Sequence, residues 1–245
     1  MLKTLCRCAL LITISSTVAY ANDDGSKDEI QVKPFTAQYT IIRKSDPIGT
    51  GIRKLEYLNN GMARYSYQSN IKWFIFSDER KESSIIKIDN NHITPTHYSY
   101  QRQGTGRDKK FEWQYDINQN SATNLEKNKT KTIDFPVNIQ DPLSYHLQQR
   151  LNLLQNPAQK HFVYPVVKTS GSIKNYVYQY DGEEEIMLPY GLVKTIRLKR
   201  EVVEKKRITY AWFAPELDYL LVKLYQIKGG VEQLEAQLKS VDIAD

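Results

Sequence analysis

The fold prediction starts from residues 219–241, which read YLLVKLYQIKGGVEQLEAQLKSV. Residues 219–227 and 231–241 each alternate apolar and polar side chains, as half-buried strands do. Gly229-Gly230 stands between them. A two-residue glycine linker favours the tight turn of an antiparallel hairpin, because glycine adopts positive φ at no steric cost. The stretch therefore predicts two antiparallel neighbours at the end of the chain.

The same alternation recurs along the rest of the chain. It is clear in Phe35–Arg43, in residues 49–58, and in residues 107–117, where Phe111, Trp113 and Tyr115 share one face. Asn-rich turn signals at 59–61 and 90–91 separate such segments. Further strands are predicted over residues 62–77, 79–89, 92–102, 161–168, 173–181, 192–203 and 208–213. Residues 118–130 are polar and predict a loop or a weak hairpin.

One helix interrupts the strands. Four leucines recur at the spacing of a single helical face, namely Leu143, Leu147, Leu151 and Leu154. Asp141 is a favourable N-cap residue, Pro142 suits the first helical position, and Asn156 with the following proline ends the helix. We therefore predict an amphipathic helix near residues 142–155, whose leucines pack against a sheet and close one side or end of it.

These elements predict the fold class. Many short strands with tight turns and one helix indicate a mainly β protein, a large antiparallel meander curled into an open or closed barrel-like sheet. No fixed-period repeat and no linker interrupts residues 35–241, so we expect one β-rich domain there. With 245 residues, 40% of them apolar, the chain is long enough to bury its own core.

The N-terminus predicts export. Lys3 and Arg7 precede an apolar run over residues 8–18, which ends at Ala19-Tyr20-Ala21. A basic head, a short apolar run and an A-x-A exit are typical of a secretory signal peptide, so we expect a signal peptide over residues 1–21, cleaved after Ala21, and a polar segment over residues 22–34. No stretch reaches the about 20 apolar residues that span a bilayer, so we expect no transmembrane segment and a periplasmic location.

Composition excludes several classes of protein. Cys6 and Cys8 both lie in the predicted signal peptide, so the mature chain would have no disulfide and no thiolate nucleophile. The net charge of +6, which drops to +4 without Lys3 and Arg7, is mild for a nucleic-acid-binding protein, and we expect no such partner. Basic clusters at 107–110, 127–131 and 205–207 are interpreted as solvated turns and lysine-protected strand edges rather than as an anion-binding face.

Catalytic motifs are missing from the sequence. It contains no G-x-S-x-G elbow, no H-E-x-x-H pair and no glycine-rich phosphate loop. We therefore expect no catalytic residue, no metal ion and no cofactor, and a protein that is not an enzyme. The alternative is an enzyme acting on envelope glycans through Glu183, Glu184 or Glu185 with Asp181, because glycosidases use two carboxyl groups across a cleft.

Aromatic residues supply the candidate binding site. The chain has 17 tyrosines, and tyrosine combines a flat apolar face with a hydroxyl group. The candidate ligand-binding residues are Trp113, Tyr115, Tyr176 and Tyr178, lining a groove of the curled sheet. The alternative is that these rows are packed strand residues whose hydroxyls reach water. Trp73, Phe74 and Phe76 form a further candidate surface, for contact with a partner in an envelope complex.

Four motifs follow one another in order: F-x-A-x-Y at 35–39, I-T-P-x-x-Y at 93–98, Q-D-P-L-S-Y at 140–145 and W-F-A-P-E-L-D-Y at 212–219. In this order and spacing, residues 35–241 resemble the domain-of-unknown-function 3108 family of exported bacterial envelope proteins. The resemblance implies a β-rich, barrel-like envelope protein and assigns no catalytic residue. One departure lies at residues 219–222, where the family pattern would place a proline before Val222.

The combined expectation is a periplasmic, non-enzymatic β-rich protein that binds or chaperones an envelope lipid, lipoprotein or glycan. A curled sheet offers a concave face for such a ligand. The glycan-directed enzyme and the structural partner in an envelope complex are the two alternatives. A deep cavity with an apolar lining would favour binding, a cleft with facing carboxylates would favour the enzyme, and an exposed aromatic patch without a cavity would favour the partner.

Overall fold

One antiparallel sheet of 14 strands makes up most of the structure, a computed structural model that describes residues 30, 32–89 and 91–244. The predicted signal peptide and most of the polar segment after it lie outside the described residues. The strands are β1 (Phe35–Arg43), β2 (Asp46–Tyr57), β3 (Ala63–Trp73), β4 (Phe76–Asp89), β5 (His92–Gly104), β6 (Lys109–Asp116), β7 (Ser121–Asn124), β8 (Lys129–Thr132), β9 (His161–Val167), β10 (Ile173–Leu188), β11 (Gly191–Val202), β12 (Arg207–Ala214), β13 (Leu220–Lys228) and β14 (Val231–Ile243). The helix α1 (Ser144–Gln155) lies between β8 and β9.

The sheet is a meander whose first and last strands pair with each other. Its spatial order runs from β8 back to β1, continues through β14, and descends to β9. Phe35 of β1 lies opposite Ile243 of β14, so the first and the last strand meet in the middle of the sheet. The predicted mainly β meander with one helix is confirmed, and the sheet remains open between its edge strands β8 and β9.

The chain between the two edge strands covers this opening. Gln140 pairs in parallel with Val166 of β9, and its side-chain amide donates a hydrogen bond to the carbonyl oxygen of Ile93 in β5, 2.8 Å away. From the other side, the indole nitrogen of Trp113 donates to the carbonyl oxygen of Thr169, at 3.2 Å. The bonds of Gln140 hold the segment that carries α1 against the concave face of the sheet, and the bond of Trp113 ties β6 to the turn after β9.

Helix α1 is more enclosed than an amphipathic pattern predicts. Leu143, Leu147 and Leu151 are buried as expected, but Leu154 is only partly buried, and Leu153 is buried on another side. Polar residues of the helix are also buried, including Gln148, Gln149 and Arg150. The polar side expected to meet solvent is instead surrounded by the curled sheet.

The start of α1 also differs from the prediction. The helix begins at Ser144, two residues after Pro142. Asp141 still serves the helix start, because one of its carboxylate oxygens accepts hydrogen bonds from the backbone N–H groups of Leu143 and Ser144, at 2.8 and 2.7 Å. Its other oxygen accepts a short hydrogen bond from the hydroxyl of Ser84 in β4, which ties the helix start to the sheet.

Two strand predictions need correction or completion. Residues 62–77, predicted as one strand, contain β3, a turn at Phe74 and Ile75, and the start of β4. The sequence gives no glycine or asparagine signal for this turn, since Phe74 itself takes the left-handed backbone conformation, with φ of 53°. The polar residues 118–130 form a short hairpin of β7 and β8, the second of the two predicted alternatives.

Candidate functional site

The concave face of the sheet holds a cavity of about 460 Å³ beside the Phe74–Ile75 turn. Alternate residues of β3 face this cavity, because Tyr67, Ser69, Ile71 and Trp73 have the same parity as the buried Tyr65. The rest of the lining that matters here comes from neighbouring strands: Arg43, Ile48, Phe76, Asp78, Arg80, Arg102 and Leu234. We call this cavity the mouth.

A second cavity of about 210 Å³ lies deeper, between the sheet and the start of α1. Tyr67, Arg80 and Leu234 line both cavities, so the two are adjacent compartments of one site. The deeper one, called here the inner cavity, is lined among others by Tyr39, Arg53, Glu82, Tyr145, His146, Tyr178, Arg200, Leu221 and Leu224. Ligand sites in proteins commonly measure about 300–1,000 Å³, and the mouth alone falls in that range.

Positive charge predominates in the lining. Across the two cavities it has five arginines and two carboxylates, Asp78 and Glu82. In the mouth, Asp78 accepts hydrogen bonds from Arg80 and Arg102, each at 2.6 Å, so one carboxylate is shared by two guanidinium groups. Arg43 lies 4.6 Å above the ring of Trp73. The site therefore favours an anion over a cation.

Arg53 has an unusual environment for a buried charge. Arg53 is buried, with 8% of its surface exposed. Its guanidinium donates a hydrogen bond to the hydroxyl of Tyr65, 2.8 Å away, and lies 5.3 Å from the ring centre of Tyr67. Within the described part of the chain, it forms no ion pair with a carboxylate at 4.0 Å or less. A buried charge without a paired counter-charge is costly, so this one needs a physical reason.

His146 is a second unsatisfied group in the inner cavity. Its Nδ1 atom is buried and has no hydrogen-bond partner among the described residues. Burial, with the nearby charges of Arg53 and Arg200, holds the pKa of His146 well below its usual value, so the ring is neutral at physiological pH. Buried polar atoms in proteins nearly always find a partner, and the residue that carries this one lines the inner cavity.

Glu82 tunes the charge of the site. Burial raises the pKa of Glu82 to about 7, against the opposing effects of Arg53 and of the hydrogen bond from Tyr98. The hydroxyl of Tyr98 donates to Glu82 Oε2 at 3.3 Å. Near neutral pH a large fraction of Glu82 is therefore protonated, which leaves the arginines of the lining less compensated.

The four predicted binding residues are not brought together. Trp113 and Tyr115 are buried in the main hydrophobic cluster and line neither the mouth nor the inner cavity. Tyr178 is fully buried in a second cluster, with its hydroxyl 3.4 Å from that of Tyr145, and it does line the inner cavity. Tyr176 packs edge-on against Tyr145, with ring centres 5.2 Å apart. A binding role for these four residues stays a prediction.

Sequence reasoning missed the arginines of the site. Arg53 lies in β2 on the same side as the buried Leu55, because its position has the same parity. An arginine at an inward position of an alternating strand is the signal that could have identified it. Arg80 and Glu82 share the corresponding side of β4, with Ser84.

Of the carboxylates of the enzyme alternative, Glu183, Glu184 and Glu185 line a separate cleft of about 560 Å³ with Glu216 and Tyr219, and Asp181 lies outside its lining. Arg197 binds two of these acidic residues, Asp181 at 2.8 Å and Glu184 at 2.6 Å. The indole nitrogen of Trp212 donates to the same oxygen of Glu184 at 2.9 Å. These contacts are those of an ion-pair network on the sheet surface.

Two further searches concern the described residues only. No group of three or more histidine, cysteine, aspartate or glutamate side chains there has the arrangement of a metal site. No helix within residues 30, 32–89 and 91–244 has the length and apolar character needed to cross a membrane.

The fold and the two cavities define a class of protein, in which a curled antiparallel sheet encloses a site with both charged and apolar lining. The chain belongs to the family described as "Protein of unknown function (DUF3108)", which matches residues 62–236. The resemblance seen in the sequence motifs is thereby confirmed. No curated protein has significant sequence similarity to the chain.

Comparison with solved structures supports the fold through one match with a TM-score above 0.5. The chain is similar to a β-barrel-like protein of domain of unknown function DUF1849 from Brucella abortus, with a TM-score of 0.58 and 8% identity, covering 88% of this chain and 100% of that one. A protein from Bacteroides fragilis with a YmcC-like fold, inferred to be exported, matches with a TM-score of 0.33 and 8% identity, covering 86% of this chain and 96% of that one. A protein from Parabacteroides distasonis, inferred to be a lipoprotein, has a TM-score of 0.35 and 9% identity over the same shares, 86% and 96%. The first similarity establishes the barrel-like fold, and the other two carry no argument.

Proposed function

We propose that this protein is a periplasmic, non-enzymatic binding protein for an anionic amphiphile, a molecule that joins an acyl chain to a phosphate or carboxylate group. The observation that carries the proposal is the buried guanidinium of Arg53, which forms no ion pair at 4.0 Å or less in the described structure and lines a cavity behind a mouth of mixed apolar and charged lining. Envelope lipids and acylated lipoproteins both have this chemistry. A neutral glycan would leave the charge of Arg53 uncompensated.

The mouth suits the acyl chain. Ile48, Ile71, Trp73, Phe76 and Leu234 supply its apolar surface. Burying each methylene group contributes about 0.8 kcal/mol, so ten buried methylenes would contribute roughly 8 kcal/mol before the entropy cost of association. A micromolar Kd corresponds to a net gain of about 8 kcal/mol, so contacts to the head group must offset the entropy cost of association.

The inner cavity suits the anionic group. Arg53 and Arg200 supply positive charge, and His146 is a neutral polar residue of the same lining. An anion placed among them would give Arg53 the counter-charge it lacks. Arginine holds phosphate and carboxylate groups with paired hydrogen bonds, which is why we assign the anion to these two classes.

Three ligands with one tail test the proposal. Lauric acid, dodecyl phosphate and dodecyl maltoside share a dodecyl-length chain and carry a carboxylate, a phosphate and a neutral head group. Trp73 lines the mouth, so its fluorescence reports occupancy. We expect the two anionic ligands to bind with micromolar Kd below their micelle concentrations, and the maltoside to bind about tenfold or more weakly.

Arg53→Met is the decisive variant in this titration. It should bind all three ligands with similar, weak affinity, because the tail contacts remain and the charge is lost. Arg64→Met is the matched control, since Arg64 lies on the exposed side of β3. Equal affinities of the wild-type protein for the three ligands, or unchanged affinity in Arg53→Met, would contradict the proposal.

The absence of catalysis is part of the same proposal. It is supported by the ion pairs that already engage Asp181 and Glu184 through Arg197. Incubation with dodecyl maltoside and with peptidoglycan fragments, followed by mass spectrometry, should recover both unchanged. Hydrolysis that Glu183→Gln abolishes would replace the proposal by the glycan-directed enzyme.

A further inference from the structure

The turn between β3 and β4 projects apolar side chains into solvent. Phe74 is 89% exposed, Ile75 87% and Phe76 52%. Phe74 also has a φ of 53°, a backbone conformation that disfavours bulky residues and suits glycine or asparagine. Neither burial nor turn geometry accounts for phenylalanine here. Strained, exposed positions of this kind often serve contact with another surface.

This turn lies on one rim of the sheet. Because turns of a meander alternate between its two ends, the turns after β1, β3, β5, β11 and β13 share a rim. Hydrogen bonds link neighbouring turns: Thr105 Oγ1 donates to the carbonyl oxygen of Ile75 at 3.3 Å, and Glu232 accepts from the backbone of Lys44 at 2.7 Å. We call residues 42–47, 72–77, 103–110, 201–208 and 227–232 the basic rim.

The basic rim differs in charge from the opposite rim. It contains ten basic residues, Arg43, Lys44, Lys72, Arg107, Lys109, Lys110, Lys205, Lys206, Arg207 and Lys228, and five acidic ones, Asp46, Asp108, Glu201, Glu204 and Glu232. The opposite rim comprises residues 56–64, 88–93, 115–122, 187–192 and 213–221. There the single basic residue is Arg64, against the acidic residues Glu56, Asp89, Asp116, Glu216 and Asp218.

We propose that the basic rim docks on an anionic lipid bilayer, with Phe74 and Ile75 inserted among the lipid headgroups. Aromatic and aliphatic side chains surrounded by lysine and arginine match the membrane interface, where apolar surface is buried and anionic lipids attract the cations. A projecting turn fits between lipid headgroups, whereas a protein partner would need a recess shaped to receive it. Membrane docking therefore accounts for the shape and for the charge.

The position of the mouth agrees with this surface. Trp73 and Phe76 flank the exposed turn and also line the mouth. A molecule of lipid leaving the bilayer at the rim would thus meet the cavity directly. Docking itself is independent of ligand binding, and each is tested without the other.

Vesicle co-sedimentation tests the docking. The probes are vesicles of phosphatidylcholine alone and vesicles of equal parts phosphatidylcholine and phosphatidylglycerol. We expect binding to the second and much weaker binding to the first, with a marked loss at high salt, because surface charges attract through a screened field. The Phe74→Asn/Ile75→Ser variant should lose about tenfold or more in partition to the anionic vesicles.

The variants are chosen so that folding is preserved. Asparagine at position 74 suits the positive φ. The matched control is Met187→Ser/Leu192→Ser on the opposite rim, where the two side chains are 70% and 60% exposed. The wild-type protein and both variants carry the same N-terminal segment, so any contribution of that segment to vesicle binding is the same in all three. The control should bind vesicles as the wild-type protein does.

Several results would overturn the docking proposal. They are equal binding to both vesicle compositions, no binding to either, and unchanged binding of the position 74 and 75 variant. No binding to either composition would instead favour a protein partner for the exposed turn at Phe74 and Ile75. Failure of docking with intact binding of dodecyl phosphate would refute this inference alone and leave the proposed ligand site standing.

Discussion

Replacing Arg53 by methionine should make the empty protein more stable while it weakens ligand binding. The residue is buried, 8% exposed, and among the described residues its one hydrogen bond to a side chain is that to the hydroxyl of Tyr65, at 2.8 Å. Replacing a buried ion pair by apolar residues of similar volume is often neutral or stabilises a protein by about 1–4 kcal/mol, and we apply this range to the buried charge of Arg53. Loss of the hydrogen bond offsets about 1 kcal/mol of that gain. We expect a net increase of up to about 3 kcal/mol in the free energy of unfolding.

Urea unfolding of the delipidated protein measures this change. The wild-type protein, Arg53→Met and Arg64→Met are unfolded at the same pH and salt, followed by tryptophan fluorescence and circular dichroism. Arg64 is exposed, so its variant should remain within about 0.5 kcal/mol of the wild-type protein. Addition of dodecyl phosphate should then stabilise the wild-type protein and the Arg64 variant, but have little effect on Arg53→Met.

The pairing of the two effects is what tests the reasoning. If Arg53 served only to stabilise the fold, Arg53→Met would be less stable than the wild-type protein, because packing would be lost and the Tyr65 hydroxyl would lose its hydrogen bond. A drop of more than about 1 kcal/mol, together with unchanged stabilisation by dodecyl phosphate, would refute the assignment of Arg53 to the ligand.

Four other predictions follow from particular residues. Leu147 is 1% exposed, so Leu147→Ala should lower the free energy of unfolding in urea by about 2–5 kcal/mol. The control Leu192→Ala, at a 60% exposed position, should lower it by less than about 0.5 kcal/mol. Similar losses in both variants would refute the packing of α1. Burial raises the pKa of Glu82 from 4.5 to about 7. The folded protein therefore keeps a proton that the unfolded chain loses, and stability falls as pH rises through this window. Glu82→Gln should then stabilise by about 2–4 kcal/mol more at pH 8 than at pH 4, and a pH-independent difference would contradict the raised pKa. Phe74→Asn should raise the free energy of unfolding by about 1 kcal/mol, because asparagine tolerates the positive φ better, and a loss of stability would show that Phe74 supports the fold. Edman sequencing of the protein from a periplasmic extract should begin at Asn22, and recovery of Met1 would contradict export through a cleaved signal peptide.

The β meander was predictable because local patterns and burial agree. The bounds predicted for β1 are those of the structure, since its residues alternate between buried and less buried positions along Phe35–Arg43. The hairpin at Gly229-Gly230 follows from glycine, which takes positive φ at both positions. The turn at Phe74 was not predictable in this way, because Phe74 and Ile75 are not residues that tight turns prefer.

The enclosure of the helix and the site depend on contacts distant in sequence. The leucine spacing locates α1, but its polar residues are buried because the sheet curls around them, which periodicity does not reveal. The inner cavity likewise brings Arg53 of β2 together with His146 of α1 and Arg200 of β11. The alternation of β2 could have shown that Arg53 points inward. That it has no carboxylate within ion-pair distance follows only from the assembled sheet.

Native mass spectrometry of the protein, purified without detergent from its own envelope, tests the central claim most directly. The account predicts that the wild-type protein carries one added mass, which dissociates as an anionic acyl-containing molecule, and that Arg64→Met retains it. Arg53→Met should carry much less of it. The mass of the bare polypeptide for the wild-type protein, together with no binding of lauric acid or dodecyl phosphate, would contradict the claim that the cavity holds an anionic amphiphile.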